Sequence, residues 1–258
     1  MAFSVEVRPV GRTEIPGPEL FWMSDWDRWF ELSFNVAVVR GDGITALVNT
    51  GAPDDLTALN ARWTGIFGER GEFRREPYET ITAQLADLGI APDDVTDVVV
   101  TPFQLYTTAG IPLFRNARLH LSKRGWVHFH TTHDHPHDDR ATSIAPDVLV
   151  HLVTNAWDRV HLLEDEDEIA PGIRTWFSGA HHRASIAVEV DSHAGTVVLS
   201  DSFFHYANVE DNRLLGINEN MYEALATNAR AKAVADHLVP LYDPAVFDRY
   251  PGGVVASM

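Results

Sequence analysis

Cysteine is absent from the 258 residues. That excludes a disulfide framework, a thiolate metal site and a cysteine nucleophile together. Lysine is nearly absent as well, at Lys123 and Lys232 only, so almost all positive charge is arginine. No uninterrupted apolar run approaches the roughly 18 residues of a spanning helix. The opening Met1-Ala2-Phe3-Ser4-Val5-Glu6 lacks the basic-then-apolar order of an export signal. A soluble, cytoplasmic protein without a membrane partner is the expectation. Twenty Lys and Arg face 37 Asp and Glu, for a net charge of -17, which repels both a phosphate backbone and anionic lipid. Nucleic acid is thus a poor partner, and a small-molecule ligand the better one. No repeat or low-complexity linker divides the chain, and 45% hydrophobic content supplies one substantial core. Residues 1–258 read as a single domain.

The patterning that is present mixes strand and helix signals. Phe34 to Val39 and Ile44 to Asn49 are β-rich runs joined by Arg40-Gly41-Asp42-Gly43, a hairpin composition. Ile81, Leu85 and Leu88 recur at helical spacing, with Gly89 as a stop and Pro92 beyond. The apolar run Val95 to Val100 reads as a buried strand. Leu119 to Ser122 and Val148 to Val153 read as further strands, and Ile186 to Val190 with Val197 to Ser200 as a second hairpin. Glu219 to His237 reads as a helix capped by Asn218. Leu238 to Tyr250 contains Pro240 and Pro244, which predicts irregular chain with one short helical turn. Interspersed hairpins and helices fit an α/β layered domain.

Several separated segments, in order, resemble the metallo-β-lactamase superfamily, and its N-acyl homoserine lactonase branch most. They are Leu47-Val48-Asn49-Thr50-Gly51, Thr101-Pro102-Phe103-Gln104-Leu105-Tyr106-Thr107-Thr108-Ala109-Gly110 and Leu113-Phe114-Arg115-Asn116-Ala117. Ser178-Gly179-Ala180-His181-His182-Arg183-Ala184-Ser185, Leu199-Ser200-Asp201 and Leu238-Val239-Pro240-Leu241-Tyr242-Asp243-Pro244 complete the set. The resemblance implies a four-layer αβ/βα sandwich with the site at one edge of its sheets. It also implies which positions should hold two metals. The family places T-H-x-H-x-D-H-x-x-G at 101–110, whereas here Pro102, Gln104 and Thr107 stand in histidine places and Tyr106 in the aspartate place. Tyr242 stands where the last histidine belongs, and Asn49 replaces an aspartate. Of seven ligand positions only His181 and Asp201 keep ligand side chains, so neither a metal nor another cofactor is expected. Loss of a dication would leave buried carboxylates uncompensated, and the changes at 106 and 49 remove such acids.

With the family positions assigned, His181 and Asp201 form an expected dyad in which the carboxylate orients a general base, with Tyr106 as proton donor. Gln104, Thr107, Tyr242, Phe204, Trp26 and His182 are the expected ligand contacts, suited to a small polar or carbonyl compound. The opposing reading makes His181 and Asp201 a relic cluster that satisfies itself, in a protein that binds without catalysis. A lactonase with an unusual metal site is the third. Ser200 and Ser202 flank Asp201, but no G-x-S-x-G motif supports a serine nucleophile.

Two further segments stand out by composition. Trp126 to Asp139 holds His128, His130, His133, His135 and His137. Its acids and proline favour a solvated loop, and the resemblance sets it near the site entrance as a cover responsive to pH near about 6. Phe21 to Phe30 packs five aromatic residues into ten. That composition suits core closure over a sheet edge, a pocket wall or a subunit contact. By resemblance a homodimer is among the expected states.

Overall fold

The computed structural model of the chain describes residues 2–131 and 140–257. Its strands are, in chain order, β1 (Ser4–Pro16), β2 (Trp29–Gly41), β3 (Ile44–Val48), β4 (Asp97–Val100), β5 (Arg118–Ser122) and β6 (Val160–Leu163). There follow β7 (Glu166–Ala170), β8 (Ile173–Phe177), β9 (Ile186–Ser192), β10 (Gly195–Ser200), β11 (His237–Pro240) and β12 (Val254–Ala256). The helices are α1 (Gly17–Leu20), α2 (Thr57–Phe67), α3 (Ile81–Asp87), α4 (Leu105–Thr108) and α5 (Lys123–His130). They continue with α6 (Arg140–Ser143), α7 (Pro146–Val153), α8 (Tyr206–Glu210), α9 (Met221–Val234) and α10 (Val246–Arg249). One sheet has the order β12-β1-β2-β3-β4-β5-β6 and the other β11-β10-β9-β8-β7. Strands β3 to β6 run parallel, and β10 pairs parallel with β11; the remaining neighbours are antiparallel.

The central strand explains why the sheets close on each other. All of β4 is buried, so its valines need apolar cover on both faces, as parallel strands do. One core runs through both sheets and includes Val36, Leu47, Val98, Leu119, Val188 and Leu199, each contributing about 1.5–3 kcal/mol by leaving water. A second cluster joins Trp176, Ala187 and Val198 of the smaller sheet to Val209 of α8 and Ala231 of α9. These helices therefore cover that sheet's other face. Helix α5 packs on β5 and β6, and α3 on β1. The outcome is the expected four-layer α/β sandwich.

Local differences from the sequence reading have identifiable causes. Val148 to Val153 is helical, within α7, because Pro146 occupies its first turn with Asp147 beside it, a helix-start signal that outweighs the β-branched run. Asn220 caps α9, accepting from Tyr222 N–H and Glu223 N–H, while the Asn218 amide donates to Leu215 O. The segment after Leu238 opens with a strand, β11, at the sheet edge, where Pro240 forfeits nothing. Trp126 to His130 belongs to helix α5 and not to a loop. His133, His135 and His137 lie outside the described residues.

Candidate active site

Three chain turns meet at the seam between the sheets. Asn49 follows β3 with φ of 70° and uses Oδ1 to accept the N–H of Thr101, 2.8 Å away, at the end of β4. The Thr101 hydroxyl accepts the N–H of Ile186, the first residue of β9, at 2.9 Å. It also donates to Oδ1 of Asp201, the residue after β10. Ser185 donates its hydroxyl to Oδ2 of the same carboxylate. Asp201 is completely buried, and such a charge is tolerated only when its lone pairs are taken up this way.

The third partner is His181, whose Nδ1 lies 2.9 Å from Asp201 Oδ2. With the Nδ1 proton on that bond, Nε2 carries the free lone pair. The loop bearing His181 is strained and stapled. Gly179 and Ala180 have φ of 53° and 60°, and for alanine this costs on the order of 1 kcal/mol. A side chain at Gly179 would lie 2.2 Å from Glu223 Oε2. Ala180 donates its N–H to Glu223 and accepts from Glu219 N–H at 2.6 Å. Arg183 reaches from the loop to both Glu219 and Glu223. Burial alone would raise the Glu223 carboxyl, but the bonds from Arg183 and Ala180 win and hold it below the usual range.

Two chambers meet beside His181. The first lies between Ile15, Leu32, Phe34, Trp63, Tyr106 and Phe204, among others. The second is bordered by Trp22, Met23, Trp26, His182 and Glu219. Glu19, Gln104, His181 and Ile217 line both. Phe204 stands edge-on to the His181 ring at 4.8 Å and to Tyr242 at 4.7 Å. Phe34 packs 4.7 Å from Tyr106. Burial, reinforced by the charge of Asp201, pushes the Tyr106 phenol well above its ordinary value. Burial does the same to Tyr242, with Tyr106 and Asp201 adding to it. Both phenols stay protonated at neutral pH and so keep an O–H to donate.

The sequence-predicted residues divide accordingly. His181, Gln104, Tyr106, Phe204, Trp26 and His182 all border a chamber. Asp201 sits behind His181. Thr107 lines neither, because its hydroxyl turns back to the Pro102 and Gln104 carbonyls. Tyr242 lines neither as well; its buried hydroxyl lies beside Tyr106, outside good hydrogen-bond geometry. Sequence reasoning assigned no role to Thr101 or Ser185, although both lie inside the quoted motifs. It gave no signal at all for Glu19.

Solved structures of the same shape include an N-acyl homoserine lactone hydrolase with the product N-hexanoyl-L-homoserine bound at its catalytic metal center. It aligns with a TM-score of 0.79, over 96% of this chain and 97% of that one, at 16% identity. Hydrolase AbOPH of the beta lactamase superfamily aligns with a TM-score of 0.66, over 98% and 89%, at 14% identity. The chain has the metallo-β-lactamase fold. No family model matches it. In sequence, this metallo-β-lactamase-fold chain is similar to N-acyl homoserine lactonase AiiB of Agrobacterium fabrum (strain C58 / ATCC 33970), 23% identical over 188 residues. That match covers 70% of this chain and 67% of the relative. The lactonase of the same name from Rhizobium rhizogenes matches at the same identity and coverage. The motif resemblance to the lactonase-like branch therefore holds in both comparisons.

The fold's usual two-metal centre can be tested against the donors present. A catalytic zinc takes about three nitrogen, sulfur or carboxylate ligands plus water. Here Asp201 has both oxygens engaged by Thr101, Ser185 and His181, and His181 spends Nδ1 on Asp201. The neighbouring positions offer a hydroxyl bound to backbone, two protonated phenols and an amide. Among the described residues no group of three His, Cys, Asp or Glu is placed to hold an ion. This donor set does not fit a two-metal centre. Among the described residues, too, no helix is long and apolar enough to cross a membrane.

Proposed function

We propose that the chain acts on a small carbonyl compound, an ester or a lactone, by acid–base chemistry at His181 and Asp201 without a two-metal centre. The observation that carries the reading is the 2.9 Å contact from His181 Nδ1 to a fully buried Asp201, at the junction of two chambers. Asp201 fixes the imidazole orientation and stabilises the cation formed when Nε2 takes a proton. Water is the proton source for hydrolysis; a substrate carbon acid is the source for elimination or isomerisation. Tyr106, kept protonated and bordering the first chamber, donates to the carbonyl or leaving oxygen. The apolar walls of that chamber hold the acyl or ring portion. The lactonase names of the relatives support a lactone or ester as substrate class.

Turnover of a panel of small esters, lactones and aromatic ketones by His181→Asn and Asp201→Asn tests this. Loss of at least about 100-fold in kcat/KM is expected for each, the scale of general-base catalysis. Unchanged turnover in both folded variants would sink the catalytic reading. A second reading, a ligand-binding protein without catalysis, is favoured by one feature: the Asp201 carboxylate is already satisfied by Thr101 and Ser185 and asks nothing of a substrate.

A further inference from the structure

The loop between β1 and β2 holds two tryptophans out in water on a tightly built frame. Trp22 is 47% and Trp26 66% exposed, with Met23 between them at 64%. The loop is closed by Gly17 N–H donating to Arg28 O at 2.8 Å, and Trp22 N–H donates to Leu214 O at 2.8 Å. Asp25 ties it further, accepting from Ser24, Arg28 and Arg213. Met23 and Asp25 have φ of 54° and 53°, left-handed values that persist only where surroundings impose them. The backbone of Gly216 closes the same chamber against Pro18, so tightly that a Cβ there would sit 1.7 Å from Pro18 O. Phe21 belongs to the core and Phe30 packs against it, so the exposed rings of Trp22 and Trp26 are the part of the segment that core closure does not use.

The permanently charged side chains that line that cavity are both acidic. Glu19 lines it, and no hydrogen bond or ion pair from another described residue reaches its carboxylate. Glu219 lines it too and shares one Arg183 with Glu223. Neither arginine nor lysine is among its lining residues. Elsewhere the molecule places guanidinium groups over aromatic rings, Arg213 over Phe21 at 3.6 Å and Arg249 over Tyr206 at 3.4 Å. Among the described residues Trp22 and Trp26 carry no such cation. Ring faces attract cations, tryptophan most strongly, and a nearby carboxylate adds to this.

We propose that the second chamber is a subsite for a cationic group of the ligand, an alkylammonium or quaternary ammonium, held by Trp22, Trp26 and Glu19. Resting on the reading of His181 as the reacting point, the substrate is then two-armed. Its carbonyl lies at the His181 junction, its apolar arm in the first chamber and its ammonium arm in the second. The net charge of -17 favours approach of such a molecule.

Calorimetric titration of the full chain with choline and with its uncharged carbon isostere, 3,3-dimethylbutanol, tests the subsite without needing turnover. Choline is expected to bind at least about 10-fold more tightly, and Glu19→Gln or Trp26→Leu to bring the two within about 3-fold. Trp26 is too exposed for its loss to unfold the protein. Equal binding by wild type, or an undiminished preference in Glu19→Gln, would overturn the proposal. Turnover of butyrylcholine against 3,3-dimethylbutyl butyrate separates the two ideas. Selective choline binding with neither ester cleaved tells against ester hydrolysis and leaves the subsite standing; equal cleavage of both removes the subsite and leaves the hydrolysis.

Discussion

The hydroxyl of Thr101 donates to Oδ1 of Asp201, joining the end of β4 in one sheet to the end of β10 in the other at the floor of the site. In a two-metal protein a bridging carboxylate is neutralised by cations. Here hydrogen bonds from a threonine, a serine and an imidazole stabilise the charge instead.

Thr101→Val keeps the shape and removes the donor. The buried carboxylate then loses one of its partners, and stability is expected to fall by about 1–3 kcal/mol. The midpoint of urea unfolding, at unchanged slope, measures it. No change would mean the bond contributes nothing.

Tyr242→Phe is expected to go the other way. Its hydroxyl is buried beside Tyr106, outside good hydrogen-bond geometry, so removing it relieves a desolvation cost and should leave stability equal or higher by about 1 kcal/mol. Activity should stay within about 3-fold of wild type, since a transition-state contact is worth about 10-fold or more. A larger loss would put Tyr242 in contact with substrate after all.

Arg183 acts through the loop that bears His181. Arg183→Met leaves Glu219 and Glu223 facing each other and frees Ala180 from its strained position. A loss of about 1–3 kcal/mol is expected, discounted for partial exposure, together with a lower kcat at unchanged KM. Arg183→Lys should restore only part of it, because one ammonium cannot reproduce the fork. Full rescue by lysine would contradict a positioning role.

A buried histidine on β5 makes the fold's stability depend on pH. His120 is fully buried, with Nε2 2.8 Å from Asp97 Oδ1 and Nδ1 3.1 Å from His161 Nδ1. Burial lowers its pKa, and the bond to Asp97 opposes this without cancelling it. The unfolded chain therefore takes the proton first. The associated stability is complete above about pH 7 and falls as pH drops through about 6.5 towards the folded value. His120→Gln should be less stable at every pH but show a flatter slope between about pH 7.5 and 5.5. Parallel profiles would remove His120 as the cause.

The frame of the fold was legible because strand signals are local: the 34–49 and 186–200 hairpins and the Val95–Val100 run follow from turn residues and apolar patterning. Val148–Val153 misled because β-branched residues sit inside a helix that Pro146 starts. Pro240 misled because an edge strand tolerates what a central one does not. His181 and Asp201 were visible through motifs, and the structure does bring them together. Thr107 and Tyr242 occupy ligand positions in sequence but face backbone and core, since losing a ligand side chain frees a position to pack. Glu19, in α1, and Ile217, in a loop, lie nearly 200 residues apart and only the tertiary fold brings them together, so no sequence pattern could have announced them.

The central claim, proton transfer by His181 and Asp201 without two metals, is most directly tested by elemental analysis of active protein purified without chelator and supplemented with zinc. The account predicts less than about a tenth of an ion per chain with turnover retained, where two-metal catalysis requires two bound ions. Two tightly held ions per chain, with activity that follows their removal and return, would contradict it.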